Sequence, residues 1–239
     1  MTSKTFFQEF KERSKEVSDY FLFVKDLEED NIQLVVEEDA EKPKIKERYP
    51  KLSNTLKASA YLLLYNLVES SMRNAIEAIF AELKDQEIPF DNLTPKLKKI
   101  VIENIKDIAL KKRQNEDDTV LEQIKNISLD IIWVGFNKEK ALPGNLDGKS
   151  IKNTAEKYGF SYQTNPQETN NGRDLENIKN NRNDLAHGVK SFAEVGQGTT
   201  ADELIEIKNK TINYLRQILE NIETYLVNRE YLDSSTGSP

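Results

Sequence analysis

In 239 residues the chain has no cysteine and a single histidine, which excludes disulfides, thiolate metal sites and a cysteine nucleophile. With 34 Lys and Arg against 41 Asp and Glu the net charge is −7, so the long-range field repels polyanions and any contact with nucleic acid has to be local. Hydrophobic content of 37%, with 9 Gly and 7 Pro, describes a helix-rich folded chain, and the longest apolar run, Ala60 to Tyr65, falls far short of the roughly 20 residues of a membrane span.

Taken in order, Phe6, Phe7, Phe10, Val17, Tyr20, Phe21, Val24 and Leu27 recur mostly at three- and four-residue steps, which predicts an amphipathic helix over 4–30. Met1 to Phe10 lacks a basic head followed by an apolar block, so no signal peptide is expected. Ile32 to Val36 reads as a short extended piece, and Glu37 to Lys51 as a polar loop bounded by Pro43 and Pro50. Ser53 or Asn54 then caps a long helix to about Lys84, whose wide apolar stripe predicts a central position with neighbours on more than one side. Against that stripe Asn66, Ser70, Arg73 and Glu77 form a polar track. It is either a solvent-facing or dimer-facing strip carrying a Glu69–Arg73 pair, or a support for a site through Asn66, Glu69 or Arg73.

Thr94-Pro95 opens a helix to about Lys112. Its Lys98, Lys99, Lys111 and Lys112, followed by Arg113, make the basic stretch best suited to track phosphates locally. Residues 119–127 read as a short helix, and Ile131 to Phe136 as a strand or buried turn with Trp133 as a packing anchor. Leu142 to Gly148 is a loop, Ser150 opens a short helix to Tyr158 that Gly159 ends, and Ser161 to Gly172 is a second polar loop. A helix from about Arg173 to His187 buries Leu175, Ile178 and Leu185. Gly188 to Thr200 is read as a glycine-bearing loop, and Thr200 or Asp202 caps a last amphipathic helix to about Arg229.

The only histidine, His187, stands five residues after Arg182 and directly before Gly188. Imidazole both takes and gives a proton near neutral pH, and guanidinium offers a permanently charged fork to phosphate oxygens. At about 100° per residue the two lie roughly 140° apart on an ideal helix, so either the arginine reaches around or the helix ends. Gly188 is the residue that allows such an end, and the negative end of the helix dipole there favours imidazolium.

Three ordered stretches carry a resemblance: Leu62 to Ser70, Gly144 to Gly148, and Arg182-Asn183-Asp184-Leu185-Ala186-His187-Gly188 running on through Ser191 to Gly196. Together they resemble the MAE-type bacterial branch of the HEPN superfamily, with its Arg-x4-His signature and an Asn after the Arg. The resemblance implies an all-α antiparallel helical bundle with one long central helix and loop and short-helix insertions, as the periodicity also does. Residues 1–232 would form one domain: an N-terminal helix and polar loop over 1–50, a core over 51–230 with an insertion at about 114–172, and a disordered tail over 233–239.

It further implies a cytoplasmic, homodimeric, metal-independent endoribonuclease without a cofactor. Such a protein would act as a toxin or in antiviral defence, with RNA as substrate and an antitoxin or other regulatory protein as partner. Arg182 would stabilise the phosphate, Asn183 order the pair, and His187 move the proton or orient the leaving group; Asp184 holds the imidazole or the arginine, or is a surface charge. One departure bears on control: some HEPN toxins carry a modifiable Tyr two residues beyond the signature His, and here that position is Val189. The alternative is a non-catalytic HEPN module that binds a nucleotide or a protein.

Overall fold

A computed structural model describes residues 3–29, 31–32, 49–112, 142 and 144–234. Eight α-helices are found among them: α1 (Ser3–Glu28), α2 (Tyr49–Asp85), α3 (Pro95–Lys112), α4 (Gly148–Tyr158), α5 (Pro166–Thr169), α6 (Asp174–Ala186), α7 (Phe192–Gln197) and α8 (Ala201–Val227). Among the described residues the only β feature is an isolated bridge between Leu93 and Leu232. The fold is all-α, as the periodicity predicts.

The long helix is central, as its wide stripe requires. α2 packs against α1, α6, α7 and α8. Its Leu64, Leu67, Val68, Met72, Ile76, Ile79 and Phe80 are all essentially inaccessible. A helix surrounded in this way has no single apolar face, and each buried aliphatic chain contributes about 1.5–3 kcal/mol. α1 lies antiparallel to α2 and to α8. Glu28 pairs with Lys57 at 2.8 Å while Glu9 accepts from Asn74 at 2.5 Å, and Lys25 meets Asp202 at 2.8 Å while Lys208 stands over the Phe21 ring. Glu28 also accepts the Ala201 amide at 2.6 Å, so the end of α1 satisfies a free donor at the start of α8.

Several boundaries differ from the sequence expectation. α2 begins at Tyr49, before Ser53 and Asn54, because Pro50 sits in its first turn, where a missing N–H costs nothing; the predicted loop therefore stops short of Lys51. The stretch 161–172 holds α5, capped by Asn165, and a 3-10 turn over Asn170–Gly172. The glycine-bearing stretch 188–200 holds α7, capped by a reciprocal Ser191–Glu194 pair. Gly196 is there for closeness: a Cβ at this position would overlap the Asn54 backbone of α2. Of the two caps offered for α8, Thr200 is the one used, and Asp147 rather than Ser150 caps α4. Asp233 is tied in, its amide donating to the Asn92 carbonyl at 2.8 Å. The stretches 33–48, 119–127 and Ile131 to Phe136, together with Arg113 and the chain past Ser234, lie outside the described residues.

Candidate functional site

α6 carries the signature. It buries Leu175, Ile178 and Leu185, the three positions the pattern predicts, and turns Arg182 toward α2. The Arg182 guanidinium lies over the ring of Tyr65, 4.7 Å from its centroid, within the range of a cation–π contact. Tyr65 is itself 3% exposed, so its ring is a fixed floor. Arg182 also donates to Asn183 Oδ1 at 3.0 Å, and Asn183 Nδ2 donates to Asn145 Oδ1 at 3.1 Å.

The loop before α4 is pinned to this side of α6 residue by residue. The Tyr65 hydroxyl donates to the Gly144 carbonyl at 3.3 Å and accepts the Leu146 amide at 3.2 Å. Leu146 is buried in the core. Asp147 caps α4 through the Ser150 amide at 2.8 Å and pairs with Lys179 of α6 at 2.6 Å. Burial pushes the Asp147 carboxyl up, but the Lys179 ammonium and the Ser150 N–H outweigh it and hold the group below the usual carboxylate range. Gly148 closes the contact: a Cβ there would stand 2.7 Å from the Gly172 carbonyl oxygen. Gly172, at φ +72°, in turn leaves no room for a Cβ beside the Tyr214 ring, and burial with the Asp147 charge pushes the Tyr214 phenol up to about 12.

The far end of α6 is built differently. His187 caps the helix and Gly188 follows at φ +66°. Gly188 donates to the Leu185 carbonyl at 3.3 Å and Val189 to the Asp184 carbonyl at 2.8 Å, the paired bonds of a Schellman motif. The helix therefore ends where the signature needs it to end. The His187 side chain is exposed and has no hydrogen-bond or ion-pair partner among the described residues. Asp184 pairs with Lys190 across the turn at 2.7 Å, and that bond raises the Lys190 ammonium.

Of the supporting positions, Glu69 and Arg73 pair with each other at 2.5 Å, and Asn66 is exposed. Lys98 and Lys99 lie on α3, which packs against α4; Lys99 faces Glu103 at 3.9 Å, and nothing is described of the Lys111 and Lys112 side chains. Two residues absent from the sequence-based site belong beside Arg182 and Asn183: Tyr65 and Asn145. Their signal was only that each falls within a quoted motif, Tyr65 inside an apolar run that reads as core. A groove of about 680 Å³ lies on the other side of α6, between Tyr61, Asn177, Asn181, Thr199 and Ile207. Its carboxylates are engaged: Asp174 with the Asn170 side-chain amide, Glu194 and Glu203 in caps, and Glu206 with Lys210. Among the described residues no group of three or more His, Asp or Glu is disposed to hold a metal ion, and no helix is long and apolar enough to cross a membrane.

An Arg-x4-His helix ending at its histidine, laid on a long central helix of an all-α bundle, defines a HEPN-type domain. A family model described as HEPN_MAE_28990-like HEPN matches residues 2–231, and the chain belongs to this MAE-type HEPN family. No curated protein and no solved structure matches it.

Proposed function

We propose that the chain is a metal-independent endoribonuclease that works as a twofold dimer. The observation that carries this reading is Arg182: a half-buried, permanent cation held by a ring and an amide, with no carboxylate paired to it among the described residues. Uncompensated charge of this kind suits a phosphate, and the free edge of the guanidinium offers it N–H donors. His187 at the adjoining helix end supplies an imidazole, the kind of side chain that can accept a proton on one nitrogen and donate one from the other.

In this reaction the 2′-hydroxyl oxygen bonds to the adjacent phosphorus, its proton passes to a base, and the P–O5′ bond breaks as an acid protonates the leaving oxygen. The products are a 2′,3′-cyclic phosphate and a 5′-hydroxyl. The step needs an acceptor, a donor and stabilisation of an anionic phosphorane. One chain has one histidine, so two signature helices facing across a twofold axis supply two imidazoles and two guanidiniums around one phosphate. Asn183 orders Arg182, and Asp184 stabilises the turn that presents His187. The biological role that fits is a cytoplasmic toxin or antiviral ribonuclease restrained by a partner protein; with Val189 at the modifiable position, restraint acts by binding. Basic side chains of α3 would follow the RNA away from the cut.

A second reading is a non-catalytic HEPN module that binds a nucleotide or a protein. It is favoured by the net charge of −7 and by an imidazole that no side chain among the described residues orients. Cleavage of a mixed RNA pool in EDTA by wild type, Arg182→Ala and His187→Ala separates the two. Cyclic-phosphate ends from wild type and their loss in both variants support the enzyme. Three equally silent proteins support the module, and equal cutting by all three removes both residues from the chemistry.

A further inference from the structure

We propose that Tyr65 and Asn145 are positioning residues for Arg182 and Asn183, which makes the Gly144–Gly148 loop a working part of the site. This rests on the ribonuclease reading for its consequences in rate, and on geometry alone for its consequences in structure. The argument starts from what arginine lacks. A guanidinium donates only, so Asn183 must turn its Oδ1 toward Arg182, as it does at 3.0 Å. The Asn183 amide nitrogen then necessarily faces away, and it meets Asn145 Oδ1 at 3.1 Å. With Asn145 in place, a flipped Asn183 would set donor against donor at Arg182 and acceptor against acceptor at Asn145. Arg182 therefore sets the polarity of the Asn183 amide, and Asn145 takes up the N–H that faces away, holding the amide that holds the arginine.

Tyr65 acts on the same pair from beneath in two ways. Its ring face fixes the plane of the guanidinium at 4.7 Å, leaving the opposite face and the free edge for an anion. Its hydroxyl bridges the Gly144 carbonyl and the Leu146 amide, on either side of Asn145, and so places the residue that orients Asn183. The chain of contacts closes on itself: Tyr65 to Arg182 directly, and Tyr65 to Arg182 through Asn145 and Asn183. A phosphate arriving at Arg182 would meet a fork that needs no rearrangement, the condition under which a donor stabilises a transition state most.

The test combines a spectroscopic and a kinetic arm on full-length protein. In ¹⁵N-labelled protein the Arg182 side-chain N–H signal, assigned by its absence in Arg182→Lys, should be shifted upfield by the Tyr65 ring. The shift should persist in Tyr65→Phe and vanish in Tyr65→Leu. In the kinetic arm Asn145→Ala, an exposed position that leaves folding intact, should lower kcat about tenfold with KM changed less than about twofold. Combined with Asn183→Ala it should cut no more slowly than Asn183→Ala alone, because Asn145 acts through Asn183. Tyr65→Phe should show a smaller loss in kcat.

An Arg182 signal without the upfield shift, or one that survives Tyr65→Leu in a folded protein, overturns the role of the ring. Independent, multiplicative losses in the Asn145/Asn183 double variant overturn the role of Asn145. If wild type cuts no RNA, the ribonuclease reading falls, and the positioning claim is decided by the Arg182 signal and by its response to Asn145→Ala, which should broaden or move it. An unmoved signal there overturns the claim without reference to activity.

Discussion

Within one helix, α6 presents two opposite kinds of construction. From Lys179 to Asn183 every polar side chain that faces the Gly144–Gly148 loop has a partner in it or beneath it: Asp147, Tyr65, Asn145. From Ala186 to Val189 the side chains are exposed, with Val189 at 69%, and the backbone alone is fixed, by the Schellman bonds. On the proposed ribonuclease reading, the difference teaches that one chain would pre-set the charge of the site and leave the proton-transferring group to be oriented by what docks on it. On that reading a permanent cation gains from fixed surroundings, because its task would be to match charge, and an imidazole facing a second chain would be oriented only on assembly.

The sharpest way to break this comparison is to remove each end in turn. His187→Ala and Arg182→Ala should each lower RNA cleavage by about 10²–10³-fold, measured as kcat/KM. Their effects on stability should separate. His187→Ala should change the unfolding free energy by less than about 0.5 kcal/mol, since nothing holds the side chain, and Arg182→Ala should cost about 0.5–1 kcal/mol for the lost ring contact. Equal destabilisation by denaturant titration would mean that the histidine has an anchor in the single chain and that the two ends do not differ.

The next effect tests the pinned end through its backbone. Gly172→Ala faces both a φ of +72° and the Tyr214 ring, and should cost roughly 3 kcal/mol or more; Gly148→Ala, which meets the Gly172 carbonyl, should cost about 1–3 kcal/mol. Both should also weaken cleavage more than their loss of folded protein explains, because they lift Asn145 from Asn183. Wild-type cleavage per folded molecule in Gly148→Ala would show that the loop is packing only.

How much of this was legible follows from what each feature rests on. α1, α3, α6 and α8 were readable because long periodic patterns and local caps decide them, and the C-terminal Gly188 needed only its own conformational freedom. α5 and α7 were not, since a helix of one or two turns shows too little periodicity. Gly196 is buried for lacking a side chain, which reads in sequence as a turn. Arg182, Asn183 and His187 stood out as a contiguous motif. Tyr65 and Asn145 did not, because a cation–π floor and an amide pair join residues distant along the chain, and an aromatic inside Leu62 to Val68 carries the same pattern as any core residue.

The exposed end makes a smaller claim on energy. Val189 and Phe192, two and five residues beyond His187, are exposed apolar residues. In the proposed dimer they border the twofold contact, so Val189→Lys should leave the unfolding of the monomer within about 0.5 kcal/mol and weaken self-association by about 1 kcal/mol, near fivefold in Kd by sedimentation. Unaltered association would place the twofold contact elsewhere and leave the second imidazole unexplained.

The smallest effect comes from the pinned end and is a matter of pH. The Asp147 carboxyl is held below its ordinary value, because Lys179 and the Ser150 N–H outweigh the cost of burial. A group whose pKa is lowered on folding contributes stability above its unfolded value, and loses it as pH falls through the folded one. The contribution is therefore complete at neutral pH, declines as pH falls below about 4, and is gone once the carboxyl of the folded chain is protonated and releases Lys179. With both side chains 19% exposed the pair is partly screened, so Asp147→Asn should cost about 1 kcal/mol at pH 7, with the difference from wild type closing as pH falls below 4. A difference between Asp147→Asn and wild type that stays constant as pH falls below about 4 would show that this end of α6 is not held by charge.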